Sequence, residues 1–212
     1  MSLPSGYTQL EYIQSSGTQY IDTGFKPNQD SRVTCDFECI SSVEEQTIFM
    51  ARRTSNQDQF GLFHNTSGWT FRYGANSAGN NTIGIMDRIL LDINKNVATL
   101  NGVKLTNSAA TFNTGTNLML FVRNTNGTLN NYAIAKLYAC SIYSDETTMI
   151  RNFIPCKNPF GAIGLYDTAN SKFYANAGTG TFTAGPEVKN GGIYVKVDGV
   201  WKKVNNVSVN VY

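Results

Sequence analysis

Asp36 and Glu38 flank Phe37 in SRVTCDFECI, two carboxylates on one face of an extended segment. Retaining glycoside hydrolysis needs two carboxyl groups about 5–5.5 Å apart, and glycosidases on β-sandwiches carry three along one strand. Here position 40 is Ile, so the third is missing and the pair reads as a solvated face. The single histidine, His64 in HNTSGW, has no nucleophile-elbow serine beside it and is expected on a loop. The four cysteines form no CxxC, and one histidine is too few for a Cys/His zinc site. Cys35, Phe37 and Cys39 alternate onto one face, so Cys35 and Cys39 are expected as buried free thiols. Cys140 and Cys156 are the pair open to a disulfide. No catalytic residue is assigned, and the chain is expected not to be an enzyme.

Residues suited to sugars are easier to find. Sugar rings stack on flat aromatics while their hydroxyls seek amides and arginines. Trp69, Phe71 and Tyr73 alternate along WTFRY and would form a stacking platform if exposed, with Trp69 beside the turn the most exposed. The same period fits the buried face of a sheet. Arg72 points the opposite way from Trp69. Two amide-rich stretches, Asn76–Asn81 and Arg123–Gly127, read as loops; Asn80, Arg123, Asn124 and Asn126 are their candidate ligand contacts. Arg52, with Arg53 beside it, could meet an anionic sugar or a phosphate polymer, although strand edges carry such charges anyway. The candidate ligand set is therefore Trp69, Tyr73, Arg52, Arg72, Asn80, Arg123, Asn124 and Asn126.

The elements that must position these residues are strands. The 212 residues are 41% hydrophobic but only 15% charged, with Asn, Thr, Ser and Gly in place of helix-surface charge. Apolar residues recur at period two, and turn signals come every eight to twelve residues or so. The segments are TQLEYI, TQYIDTGF, SRVTCDFECI, EEQTIFMARR, DQFGLFHN, WTFRYGA, DRILLDIN, NVATL, VKL, NLMLFVRN, NYAIAKLYACSIYS, TMIRNFIP and a hairpin in AIGLYDTANSKFYAN. No stretch keeps a helical apolar stripe between caps. The fold class is all-β, a two-sheet antiparallel sandwich of the jelly-roll kind over residues 1–186. Residues 187–212 read as a linker and a C-terminal β-hairpin turning at Asp198-Gly199, with VSVNVY a possible second copy of IYVKV. A net charge of +2 predicts no nucleic-acid partner, and no apolar run of 18 residues predicts membrane insertion. MSLPSGYTQLEYI lacks a basic start and an apolar core, so no secretory leader is expected.

The opening LPSGYTQLEYIQSSGTQYIDTGF and the closing RNFIPCKNPFGAIGLYDTANSKFYANAGTGTFTAGPEV resemble the two ends of a concanavalin A-like, laminin-G-type jelly-roll module. FGLFHNTSGWTFRYGA and KLYACSIYSDETTMIRNFIPC resemble the same family, so the likeness spans residues 3–188. Such modules occur in phage and prophage tail proteins and on gut bacterial surfaces, and IYVKVDGVWKKV is similar to repeated elements ending tail and baseplate proteins. The resemblance implies a lectin-like, carbohydrate-binding, receptor-binding module on a virion tail or bacterial surface. Its implied partners are a cell-surface glycan or cell-wall polymer and, through the hairpin, other tail subunits, with a homotrimer as one assembly. It also brings calcium into question, since laminin-G-type sandwiches often hold one. Asp22, Asp30, Asp87, Asp92 and Asp167 are scattered, so the expectation is no cofactor, with calcium dependent on tertiary convergence. The competing reading is an assembly module that binds no sugar.

Overall fold

The computed structural model describes residues 3–42, 45–188, 194–197 and 200–203. Three two-residue strands come first, β1 (Thr8–Gln9), β2 (Ile13–Gln14) and β3 (Ile21–Asp22), followed by β4 (Arg32–Cys39). A meander of long strands follows: β5 (Gln46–Thr54), β6 (Gln57–Asn65), β7 (Gly68–Gly74) and β8 (Asn76–Asn80). Next are β9 (Arg88–Asn94), β10 (Val97–Leu100), β11 (Val103–Thr106), β12 (Met119–Leu120), β13 (Arg123–Thr125) and β14 (Thr128–Asn130). The sandwich closes with β15 (Ala135–Tyr143), β16 (Met149–Lys157), β17 (Ile163–Asp167), β18 (Lys172–Ala175) and β19 (Thr183–Ala184). A separate hairpin, β20 (Tyr194–Val197) with β21 (Val200–Lys203), pairs only within itself among the described residues. Its turn at Asp198-Gly199 and the VSVNVY segment lie outside the described residues.

Two sheets form the sandwich. One runs β11-β10-β9-β4-β15-β16-β17-β18, with β1, β2 and β19 attached; the other runs β14-β13-β5-β6-β7-β8, with β3 and β12 attached. Period-two alternation decides the layers: β4 buries every second residue, Val33, Cys35, Phe37 and Cys39. Facing it, β6 and β7 turn Phe60, Leu62, Trp69 and Phe71 inward to complete one hydrophobic core. The expected Asn-Gly hairpin joins β10 to β11, with Asn101 at φ 47 and Gly102 at φ 86. Hydrogen bonding to the sandwich continues to Val188, whose N–H donates to the Gln9 carbonyl at 2.9 Å.

Three expectations about elements are corrected. NLMLFVRN is two strands rather than one, because Phe121 takes φ 70. That left-handed residue carries the chain from antiparallel pairing in β12 to parallel pairing of β13 with β5. Phe121 is held there by burial against Phe182, 5.3 Å between centroids, and by main-chain bonds to Ile48 and Ala133. Asn76–Asn80, expected as a loop, is strand β8, because Ser77, Ala78 and Gly79 register against β7. His64 lies inside β6, fully buried, rather than on a loop. All four cysteines are buried and free; Cys140 lies opposite Cys35 on adjacent strands rather than beside Cys156.

Candidate functional site: an arginine-lined sheet face

Because Trp69, Phe71 and Tyr73 point inward, the alternate residues of β5–β7 and β13 form the outer face of the second sheet. Register places Ser77, Arg72, Gly61, Met50, Arg123 and Asn130 in one row across it. The next row holds Thr70, Phe63 and Thr47, and Arg52 stands opposite Gln59 and Thr125 on the other side. Three arginines from three strands thus converge over a floor of Met50 and Phe63, both buried. Arg72 and Arg123 hold their guanidinium carbons 5.5 and 5.2 Å from the Phe63 ring centroid. Gly61 leaves the middle of the row without a side chain; a Cβ there would meet the Phe49 carbonyl oxygen at 2.4 Å.

The charge on this face is poorly compensated. Arg123 pairs with Glu45, yet its buried Nε has no hydrogen-bond partner, and burial lowers its pKa to about 10. Arg52 donates from Nε to Thr125 Oγ1 at 2.7 Å. Burial first, then the positive charge of Arg72, holds the Arg52 guanidinium below its ordinary value. Arg72 has no hydrogen-bond or ion-pair partner among the described residues, and burial lowers its pKa too. Gln59 Oε1, buried beside Arg52, also lacks a partner. A half-buried guanidinium with free donors above an apolar floor is suited to an oxyanion, carboxylate or phosphate, in bidentate contact.

The other candidate residues are structural. Trp69 is 1% exposed and Tyr73 3%, so no exposed platform exists at either. Trp69 packs edge-on to Phe37 and His64, and Tyr73 donates its hydroxyl proton to the Gln29 carbonyl at 2.7 Å. Asn80 Oδ1 accepts from the Thr82 and Ile83 N–H groups at 2.9 and 3.0 Å, capping a turn. Asn124 is buried, donating to Thr116 Oγ1 and the Asn117 carbonyl and accepting from the Gly127 N–H. Asn126 sits at φ 47 in the turn between β13 and β14. Of the eight candidates, Arg52, Arg72 and Arg123 are brought together; Phe63, Met50 and Gly61 escaped notice because their role depends on cross-strand register.

On the opposite sheet, both carboxylates of the pair are held by neighbours. Asp36 accepts two bonds of 2.8 Å from Arg88, and Glu38 accepts from the Tyr138 hydroxyl at 2.8 Å and Lys136 at 3.1 Å. The Tyr138 hydrogen bond, with help from Lys136, holds the Glu38 carboxyl below its usual range. No group of three or more His, Cys, Asp or Glu side chains converges among the described residues. Asp92 is taken by Arg32, Asp22 by Asn117, and Asp167 by the Asn152 N–H. No helix is long and apolar enough to cross a membrane among the described residues.

No family model matches the chain, and no curated protein does. Among solved structures it is similar to the CBM40 of the Ruminococcus gnavus IT-sialidase, bound there to α2,3-sialyllactose. The likeness is 15% identical with a TM-score of 0.47, over 65% of this chain and 91% of that one.

Proposed function

We propose that the chain is a non-catalytic glycan-binding module whose arginine face takes an acidic sugar or an anionic cell-wall polymer. The observation that carries this reading is Arg72, half-buried beside Arg52 over Phe63 and without a carboxylate partner among the described residues. Two part-buried guanidinium groups side by side without a carboxylate repel each other, and an anion between them would relieve that repulsion and take up the free donors. Against hydrolysis, Glu38 is held in its ionised form and is unsuited to act as a general acid. The setting proposed, a phage or prophage tail or a bacterial cell surface, is supported by the resemblance of the motifs at both ends of the module. There the C-terminal hairpin would meet other subunits, and a homotrimer is the assembly to look for by light scattering.

The test is an array of paired glycans that differ only in an acidic group, together with whole cell-wall polymers, probed in calcium and in chelator. Binding confined to the acidic members, in both solutions, supports the reading. Equal binding to both members of each pair would contradict it. A second reading, an assembly module, is favoured by one observation: among the described residues β20 and β21 pair only with each other, which leaves strand edges open to β-augmentation. Absence of any glycan binding, with stable association through the hairpin, would select it.

A further inference from the structure

The arginine face does not end at Phe63. Thr47 stands opposite Phe63 across β5 and β6, and Tyr132 bridges Thr47 from the other side. At ~4.8 Å per strand, Tyr132 lies about 10 Å from the arginine floor, the reach of one or two further sugar rings. Beside Tyr132 is a cleft of about 490 Å³ lined by Ser16, Gly17, Glu45, Gln46, Asn131 and Ile134. Glu45 is also the partner of Arg123, so cleft and arginine face share a wall.

Beyond Tyr132 the surface opens into a second groove, of about 400 Å³, lined by Thr18, Tyr20, Leu129, Tyr132, Gly178 and Thr179. That volume lies within the ~300–1,000 Å³ common to ligand sites. Tyr20 and Tyr132 stand 6.3 Å apart at 59°, each half-buried, and both line the groove. The opposite wall is rigid: Asn176 Oδ1 accepts from the Tyr20 and Gly178 N–H groups, and the Ala177 N–H donates to the Tyr20 carbonyl at 3.0 Å. Among the groove residues named, none carries a charge. A pair of tyrosines in an uncharged groove, with threonine hydroxyls and main chain around it, suits the C–H face of a neutral pyranose.

We infer that the Tyr20–Tyr132 groove is a second subsite, which takes neutral sugar residues of the same glycan whose acidic residue lies on the arginine face. This rests on the acidic-glycan reading above. It makes the preferred ligand an oligosaccharide with an acidic residue joined to at least one neutral pyranose.

The probes are N-acetylneuraminic acid and glucuronic acid, each free and joined to lactose, with lactose alone, titrated calorimetrically against the whole chain. The expected result is that joining lactose tightens binding at least tenfold, and that Tyr132→Ala removes the gain. Tyr132→Phe should keep most of it, since stacking and not the hydroxyl supplies the contact. Saturation-transfer NMR on the unaltered protein checks the same point without a substitution: lactose ring protons of the conjugate should receive saturation. Equal affinity for the free and joined acidic sugars, with no transfer to lactose, would overturn the groove and leave the arginine face standing. Lactose alone binding as tightly as its acidic conjugates, dependent on Tyr132, would keep the groove and sink the acidic reading. No binding of any probe would overturn the groove and, with it, the acidic-sugar half of the reading above.

Discussion

At the scale of single residues, burial separates side chains that bind from side chains that hold the fold. Trp69 is in the core, so Trp69→Ala should cost about 3–5 kcal/mol, read as a lowered denaturant midpoint, through cavity formation. Arg72→Ala should cost no more than about 1 kcal/mol, the worth of its contact with the Phe63 ring, and abolish acidic-glycan binding, because the side chain lies on the outer face with no hydrogen-bond or ion-pair partner among the described residues. His64 makes a different prediction. Both ring nitrogens are buried without a hydrogen-bond partner, and burial pushes the imidazole down from 6.5 to about 4. The unfolded chain therefore takes up a proton on acidification before the folded chain does. Stability from His64 is complete above 6.5 and is lost as the pH falls toward about 4, by about 3 kcal/mol in all. Glu38, held below its ordinary value, pulls in the same direction, so the His64 share is read as the difference between wild type and His64→Leu across that window. A midpoint that falls equally in both proteins would contradict it. The thiols give a simpler check: burial raises Cys39 and Cys156 to about 12, so iodoacetamide should label neither until the protein is unfolded.

At the scale of elements, register turns scattered arginines into a site. Gly61 sits in the middle of the arginine row, and Gly61→Ala would drive a methyl into the Phe49 carbonyl and Met50. Expected are a loss of about 1–3 kcal/mol by denaturant titration and weakened glycan binding, as β5 and β6 are forced apart. Much of this layout was legible beforehand. The alternation in SRVTCDFECI maps directly onto the burial of β4, and Asn101-Gly102 forms the hairpin expected of it. Alternation also showed that Arg72 and Trp69 face opposite ways, but not which of the two sides is interior. That choice is made by the other sheet, through contacts such as Phe37 on Trp69 at 5.5 Å. The convergence of Arg52, Arg72 and Arg123 was not legible, because it depends on three cross-strand registers, one of them the parallel pairing that begins after Phe121. A positive φ at a phenylalanine leaves no local mark in a sequence. Asn76–Asn80 misled for the opposite reason: its composition is that of a turn, while its role as an edge strand comes from the neighbour it pairs with.

At the scale of the molecule, the two sheets do different work. The β4–β15 sheet turns a neutralised outer face to solvent, where Asp36 meets Arg88 and Glu38 meets Lys136. The β5–β7 sheet leaves Arg52 and Arg72 without carboxylates among the described residues, and this is the side on which an anionic ligand is proposed. The C-terminal hairpin is predicted to be independent of that face. Removing residues 189–212 should leave the melting transition and glycan binding intact, since the last sandwich hydrogen bond described is that of Val188; a collapsed transition would contradict this. The central claim is that the arginine face recognises negative charge on a glycan. The most direct measurement is calorimetric titration of the wild type and the Arg52→Gln, Arg72→Gln double variant with paired acidic and neutral glycans, at low and high salt. The account predicts binding to the acidic member alone, weakened by salt and lost in the variant while its melting temperature holds. Binding that persists in the variant, or that ignores the acidic group, would contradict it.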